Sequence, residues 1–274
     1  MLLVPGVSLF GRDDIAPLAH VMGWPYTGGS PENAHCEPSF AEEPGALGAA
    51  SAGGLARGRR AAPILDRRRW NPGLLLRALL HAPWIDLLET DVYIGPCAQI
   101  VCDGHALPVK DDAFAAVVCQ AVLEHVADPN RAAQELHRVL DRAGLVYSEL
   151  PFAQQVHERA YDFTRWTMIG HRRLLRCFDK IDAGAVSGPG EELAWSLRHF
   201  VLALAGDSPL RRGFGMLTTV TTLRSRWLDA LLRGRPVGLD AASGRFILGC
   251  RRVTPRSDFD IVAAHRGAIS SPNR

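Results

Sequence analysis

Residues 115–119, Ala-Ala-Val-Val-Cys, form an apolar run with no polar alternation, the pattern of a central strand buried on both faces. A well-signalled helix follows it. Asp128 stands at the N-cap and Pro129 at the first helical position, while Ala132, Ala133, Leu136, Val139 and Leu140 fall on one face. From Ala61 onward, short apolar runs alternate with longer helical periodicities, which is the βαβα signature of a mostly parallel sheet with helices on both faces. The runs predict strands at 62–65, 85–90, 99–102, 115–119, 145–150, 181–186 and 245–250. Helices are predicted to open at Pro72 and Pro129 and to cover 168–177, 191–205 and 215–232.

The expected organisation is an irregular N-terminal extension over 1–60, a Rossmann-like α/β domain over 61–253 with a helical insert or lid at about 190–233, and a tail over 254–274. Gly, Ala, Pro and Ser crowd the first sixty residues, and 45–54 reads as a linker. A net charge of +2 gives no global argument for nucleic acid. The clusters Arg57–Arg60 and Arg67–Arg69 lack the interleaved aromatics of a base-stacking platform. The six cysteines show no CxxC or metal-type spacing, so they read as reduced thiols. No basic leader is visible, and no apolar run reaches the roughly 18 residues of a membrane span. The default location is the cytoplasm.

In open α/β sheets ligands bind beyond the carboxyl ends of the strands. Asp91, just past the second predicted strand, is placed to accept both hydroxyls of a ribose, and equally to hold a turn. Asp103, after the third, could accept from an exocyclic adenine amine, with backbone from Gly104 to Leu107 along the base. Gln120 to His125, after the fourth, would floor the site. Ile64–Gly73, ILDRRRWNPG, occupies the place of a glycine-rich turn but holds one glycine, Gly73.

The segment DGHALPVKDDAFAAVVCQAVLEHVADPNRAAQELHRVLDRAGLVYSELPF, Asp103 to Phe152, resembles the central part of class I S-adenosylmethionine-dependent methyltransferases. It carries an aspartate, a small residue and LP, an acidic turn, a hydrophobic strand, LEH, DP, and a helix ending in RVL. The resemblance implies the class I methyltransferase fold and S-adenosylmethionine as cofactor. It assigns the ribose to Asp91, the adenine to Asp103, His105 and Ala106, and the methionine part to Gln120, with Gly73 remaining from the glycine loop. The chain departs from the pattern at Ala115, where an aspartate is usual, at Ala143-Gly144 in place of two glycines, and most of all at Arg67–Asn71 in place of GxGxG.

Methyl transfer requires alignment of nucleophile and sulfonium, plus a base where the acceptor carries a proton. The loop 151–165 is the densest polar and aromatic cluster. His157 is the candidate base, with Tyr161 and Asp162 orienting the acceptor; on the alternative reading His157 caps a helix and Asp162 pairs with Arg165. His125 reads as structural. No histidine has metal-type spacing, so no metal is expected. The apolar helices 191–205 and 215–232 read as a cover packed on the sheet, or as a cover over a greasy acceptor, and their arginines would suit a membrane surface. The implied function is methylation of a small-molecule or lipid-like acceptor, at oxygen if His157 is a base. The competing reading is a methyltransferase-fold binding or scaffold protein that has lost its donor site. A nicotinamide oxidoreductase would need GxGxxG and a YxxxK pair, and neither is present.

Overall fold

The computed structural model describes residues 6–10, 87–94, 98–157, 159–206, 211–232 and 235–265. Seven strands form one sheet: β1 (Gly6–Phe10), β2 (Leu87–Asp91), β3 (Ile100–Val101), β4 (Phe114–Gln120), β5 (Leu140–Pro151), β6 (Phe178–Ser187) and β7 (Gly244–Arg251). Their order is β3-β2-β1-β4-β5-β7-β6. β2 is parallel to β3 and β4 to β5, while β7 runs antiparallel between β5 and β6. The carboxyl ends of β2, β3, β4 and β5 share one edge, the edge at which open α/β sheets bind ligands. The expected α/β sheet is therefore present, but it is mixed: five of the seven strands point the same way, and β1 and β7 oppose them, so that four of the six pairings are antiparallel.

The strand between β2 and β4 differs from expectation. The sequence suggests no strand in residues 6–10, yet Gly6–Phe10 fills this slot and runs antiparallel to both neighbours, with Val7 opposite Thr90 and Cys119. Backbone pairing explains the choice: β4 is buried along its length and needs a hydrogen-bonded neighbour on that edge. The run predicted at 62–65, the helix from Pro72 and the loop residue Gly73 lie outside the described residues.

α1 (Pro129–Val139) starts as the sequence predicts, with the Asp128 carboxylate accepting from the N–H groups of Asn130 and Arg131, both at 3.1 Å. Its buried face, Ala132, Ala133, Leu136 and Val139, packs on Val117, Cys119, Val146, Leu150 and Ile247 of the sheet. The turn into the inner part of β5 needs Gly144 for space, since a Cβ there would stand 2.9 Å from the Leu140 side chain. α2 (Met168–Leu174) is capped by Thr167, whose hydroxyl accepts from Gly170 N–H at 3.1 Å, and it stops short of the predicted end at 177.

The segment expected as a tail from residue 254 carries a helix, α6 (Asp258–Ala263), with Ile261 buried. Asp179 ties this segment to the sheet by accepting from Arg252 at 3.1 Å and Arg256 at 2.7 Å.

α3 (Pro189–Ala205) and α4 (Arg211–Leu232) pack on each other as a hairpin, and α5 (Pro236–Asp240) returns the chain to β7. At the hairpin base Asp229 accepts from the N–H groups of Gly190 at 2.6 Å and Glu191 at 2.9 Å, and Ser225 donates to Gly190 O at 2.9 Å. A Cβ on Gly190 would lie 1.9 Å from the Ser225 carbonyl oxygen, so the helices approach as closely as glycine allows. The expected packing of both helices onto the sheet gives way to this pairing, and Phe200, Leu204, Met216, Trp227 and Leu231 are all more than 60% exposed.

Candidate active site

Asp91, Asp103 and Gln120 stand at or just past the carboxyl ends of β2, β3 and β4, on one edge of the sheet. Asp91 Oδ1 accepts from Tyr93 N–H at 3.1 Å, the turn contact that the sequence left open beside the ribose role. Next to it Val92, Tyr93 and Ile94 are exposed and form an apolar lip. Asp103 Oδ1 accepts from His105 twice, from N–H at 2.9 Å and from Nδ1 at 2.5 Å. Those bonds hold its carboxyl below the usual range.

His105 Nε2 is 3.0 Å from Asp128 N–H. A backbone N–H can only donate, so Nε2 is bare and the ring proton sits on Nδ1, facing Asp103. His105 is thus a strut between the β3 loop and the start of α1. Ala106 N–H donates to Asp103 O at 3.0 Å. Beyond it, Arg138 donates to the carbonyls of Leu107 and Val109 at 2.9 and 2.8 Å, which makes 103–109 a stiff edge.

Gln120 Nε2 donates to Glu149 Oε2 at 2.6 Å, and Tyr147 OH donates to the other oxygen of the same carboxylate. Burial pushes Glu149 up to about 7, against the pull of those two donors. Directly after Gln120 the chain turns through Ala121, at φ +52°. That left-handed conformation costs a residue with a Cβ about 1–2 kcal/mol. It swings the backbone out of β4 into a 3-10 turn, Leu123–His125.

This turn and the loop after β5 build a second cluster. Glu124 is fully buried, and neither of its carboxylate oxygens has a hydrogen-bond partner among the described residues. Its Oε1 lies 3.8 Å from His125 Nε2 and 3.9 Å from His157 Nε2. His125 Nδ1 is 3.0 Å from the Tyr161 carbonyl, which can only accept, so Nδ1 carries a proton and Nε2 is the ring nitrogen turned toward Glu124. Two electron-rich groups can face each other in a dry site only if a positive charge or a proton stands with them. Burial raises the Glu124 carboxyl to about 8, which supplies that proton at neutral pH.

His157 meets His125 edge-on, with ring centroids 4.9 Å apart, and its Nδ1 lies 3.5 Å from Asp162 Oδ2 and 3.4 Å from Arg165. Asp162 is committed to the loop: it pairs with Arg165 and accepts from His157 N–H at 2.8 Å. Burial pushes its carboxyl up, but these bonds outweigh it and hold the group below the usual range. Asp162 thus braces the loop, as the alternative reading expects, whereas Tyr161 is exposed.

Glu124, His125 and His157 offer ligand atoms within 4.8 Å of one another. A tetrahedral ion with bonds near 2.0–2.1 Å needs donors about 3.3 Å apart. The two separations to Glu124 are wider than that, and the cluster is better suited to holding a proton.

The structure thus brings Asp91, Asp103, His105, Ala106 and Gln120 to one edge and sets His157 beside the end of β4. The sequence missed Glu124, Glu149 and the turn at Ala121. A glutamate inside the apolar stretch Ala121-Val122-Leu123-Glu124-His125-Val126 was the available signal, since a carboxylate there must be buried.

Residues 83–148 match the family described as "Methyltransferase domain". No curated protein matches the chain. Among solved structures, the [4+2]-cyclase SpnF is 17% identical at a TM-score of 0.34, covering 58% of this chain and 57% of its own. Phosphoethanolamine N-methyltransferase 2 of Haemonchus contortus, solved with S-adenosyl-L-methionine, is 13% identical at 0.34, covering 56% and 36%. Geranyl diphosphate C-methyltransferase of Streptomyces coelicolor A3(2), solved with Mg2+, geranyl-S-thiolodiphosphate and S-adenosyl-L-homocysteine, is 12% identical at 0.32, covering 56% and 50%. The chain spans a little over half the length of the first of these structures. Residues 83–148 are thus similar to a methyltransferase domain, the stretch that holds Asp91, Asp103 and Gln120.

Proposed function

We propose that the protein transfers the methyl group of S-adenosylmethionine to a hydroxyl of a small or lipid-like acceptor. The observation that carries this reading is the alignment of Asp91, Asp103 and Gln120 at the ends of β2, β3 and β4, within or bordering the family-matched stretch. The donor supplies an electrophilic methyl on a sulfonium. Asp91 would hold its ribose and Asp103 its adenine amine, against the apolar lip 92–94 and the backbone of His105 and Ala106. Gln120, fixed by Glu149, would border the methionine part. On the acceptor side His157 takes the hydroxyl proton, with its ring edge-on to His125 and its backbone N–H held by Asp162. A positioned base of this kind contributes roughly a hundredfold or more.

A second reading, a methyltransferase-fold binding protein without donor chemistry, is favoured by one observation. β1 runs antiparallel to β4, entering the sheet at the ligand edge with Gly6 opposite Gln120, so the carboxyl end of β1 itself lies at the far edge. Calorimetric titration with S-adenosylhomocysteine separates the two. The first reading expects micromolar binding that weakens at least tenfold in Asp91→Ala. No heat at millimolar ligand establishes the second. With donor binding intact, a His157→Ala variant that methylates at the wild-type rate removes the base assignment.

A further inference from the structure

A helix hairpin in water buries its apolar stripes between the helices and turns polar residues outward. The α3–α4 hairpin does the reverse. Among the described side chains, the α4 stripe against α3 consists of Gly215, Thr218, Thr222, Ser225 and Asp229, with Thr218, Thr222 and Asp229 at most 9% exposed. Thr218, Thr222 and Ser225 also spend their hydroxyls on backbone carbonyls, so this α4 stripe is both small and internally satisfied, with Leu202 of α3 seated against Gly215. Met216, Leu217, Trp227, Leu228 and Leu231 lie roughly opposite this stripe and are 53–80% exposed. On α3, Leu193, Leu197, Phe200 and Leu204 follow helical spacing along one exposed flank. Small residues and hydroxyls between helices, with large apolar side chains outside, is how helices pack in hydrocarbon.

Charge selects among the apolar environments that could cover these faces. Between 189 and 235 the sequence carries Arg198, Arg211, Arg212, Arg224, Arg226, Arg233 and Arg235 against Glu191, Glu192, Asp207 and Asp229. Of those acids, Asp229 is buried as the cap of α3, and Glu192 is bonded to Ser196 at 2.7 Å and Gln155 at 3.2 Å. The segment therefore has a surplus of positive charge along the same length as its outward apolar faces. Basic and apolar residues combined on one helix are attracted to anionic headgroups and bury their apolar face at the acyl boundary. α4 has 22 residues, which at 1.5 Å per residue is about 33 Å of helix. No helix among the described residues is long and apolar enough to cross a membrane, so the geometry is that of an element lying in the interface.

We infer that the α3–α4 hairpin docks the protein on an anionic lipid surface, with Met216, Leu217, Trp227, Leu228 and Leu231 entering the acyl boundary. The inference does not depend on methyl transfer, since a protein without donor binding would dock equally.

The test is co-sedimentation of the full chain with vesicles of equimolar phosphatidylcholine and phosphatidylglycerol, beside pure phosphatidylcholine, at about 0.1 M salt. Docking predicts at least tenfold stronger partitioning onto the anionic vesicles. It also predicts a loss of tenfold or more in the triple variant Trp227→Ser, Leu228→Gln, Leu231→Gln, with an unchanged Tm. Absence of binding overturns the inference. Equal binding by the triple variant overturns it too, because attraction would then be purely electrostatic. Two further results overturn it by naming another occupant. A dimer in light scattering that the triple variant dissociates would assign the face to a second copy. A Tm lowered by several degrees in the variant would assign it to other residues of this chain.

Discussion

The sheet and the hairpin obey opposite burial rules within one chain. In β4, β5 and β7 the residues removed from water are Val117, Cys119, Val146, Leu150 and Ile247, and α1 covers them with Leu136 and Val139. In the hairpin the residues removed from water include Gly190, Ala194, Gly215, Thr218, Thr222 and Asp229, while Leu193, Leu204, Leu217, Leu228, Leu231, Phe200 and Trp227 face outward. The hydrophobic effect in water accounts for the first arrangement. The second is held by close backbone approach and hydrogen bonds, and it leaves apolar area that water does not favour. The difference teaches that apolar content alone does not say what a helix packs against.

The sharpest way to break the comparison is to truncate both regions. Leu136→Ala or Ile247→Ala should cost about 2–5 kcal/mol in denaturant unfolding, as expected for buried large-to-small changes. Leu228→Ala or Trp227→Ala should stay within about 0.5 kcal/mol. Equal costs would mean that the hairpin face is covered in solution.

A second contrast is electrostatic. Glu149, in the sheet, has its folded-state carboxyl raised from 4.5 to about 7, so the folded chain retains a proton that the unfolded chain has released. Its contribution is intact below about pH 4.5 and is lost as pH rises toward 7 and above. Glu149→Gln should therefore leave stability nearly unchanged near pH 4 and raise it by at most about 3 kcal/mol near pH 8. A gain at low pH instead would reverse the assignment.

Smaller effects sharpen local points. Gly190→Ala places a methyl against the Ser225 carbonyl and should cost about 1–3 kcal/mol, seen as selective loss of hydrogen-exchange protection in 189–232. Ala121→Gly removes a Cβ from a left-handed residue and should raise stability by about 1 kcal/mol in thermal unfolding. No gain there would mean that the turn after β4 carries no strain.

The sheet was largely legible in the sequence. The unbroken run 115–119, the cap at Asp128-Pro129 and the strand-ending Pro151 are local signals, and β4, α1 and β5 follow them closely. β1 was not legible, because its place is set by the neighbours' need for pairing and Gly6–Phe10 carries no signal that outranks other apolar runs. For the hairpin the helices could be read but not what they face, since periodicity locates a stripe without naming its cover. At the site, Asp91, Asp103 and Gln120 could be placed because each ends or follows a strand. The Glu124–His157 contact could not, since it joins residues far apart in the chain through the Asp162–Arg165 brace.

Hydrogen exchange with and without S-adenosylhomocysteine tests the central claim, a donor site at the carboxyl ends of β2, β3 and β4, most directly. The account predicts new protection at 91–94, 103–107 and 120–125, with 189–232 unchanged. No change at those strand ends, or protection confined to the hairpin, would contradict it.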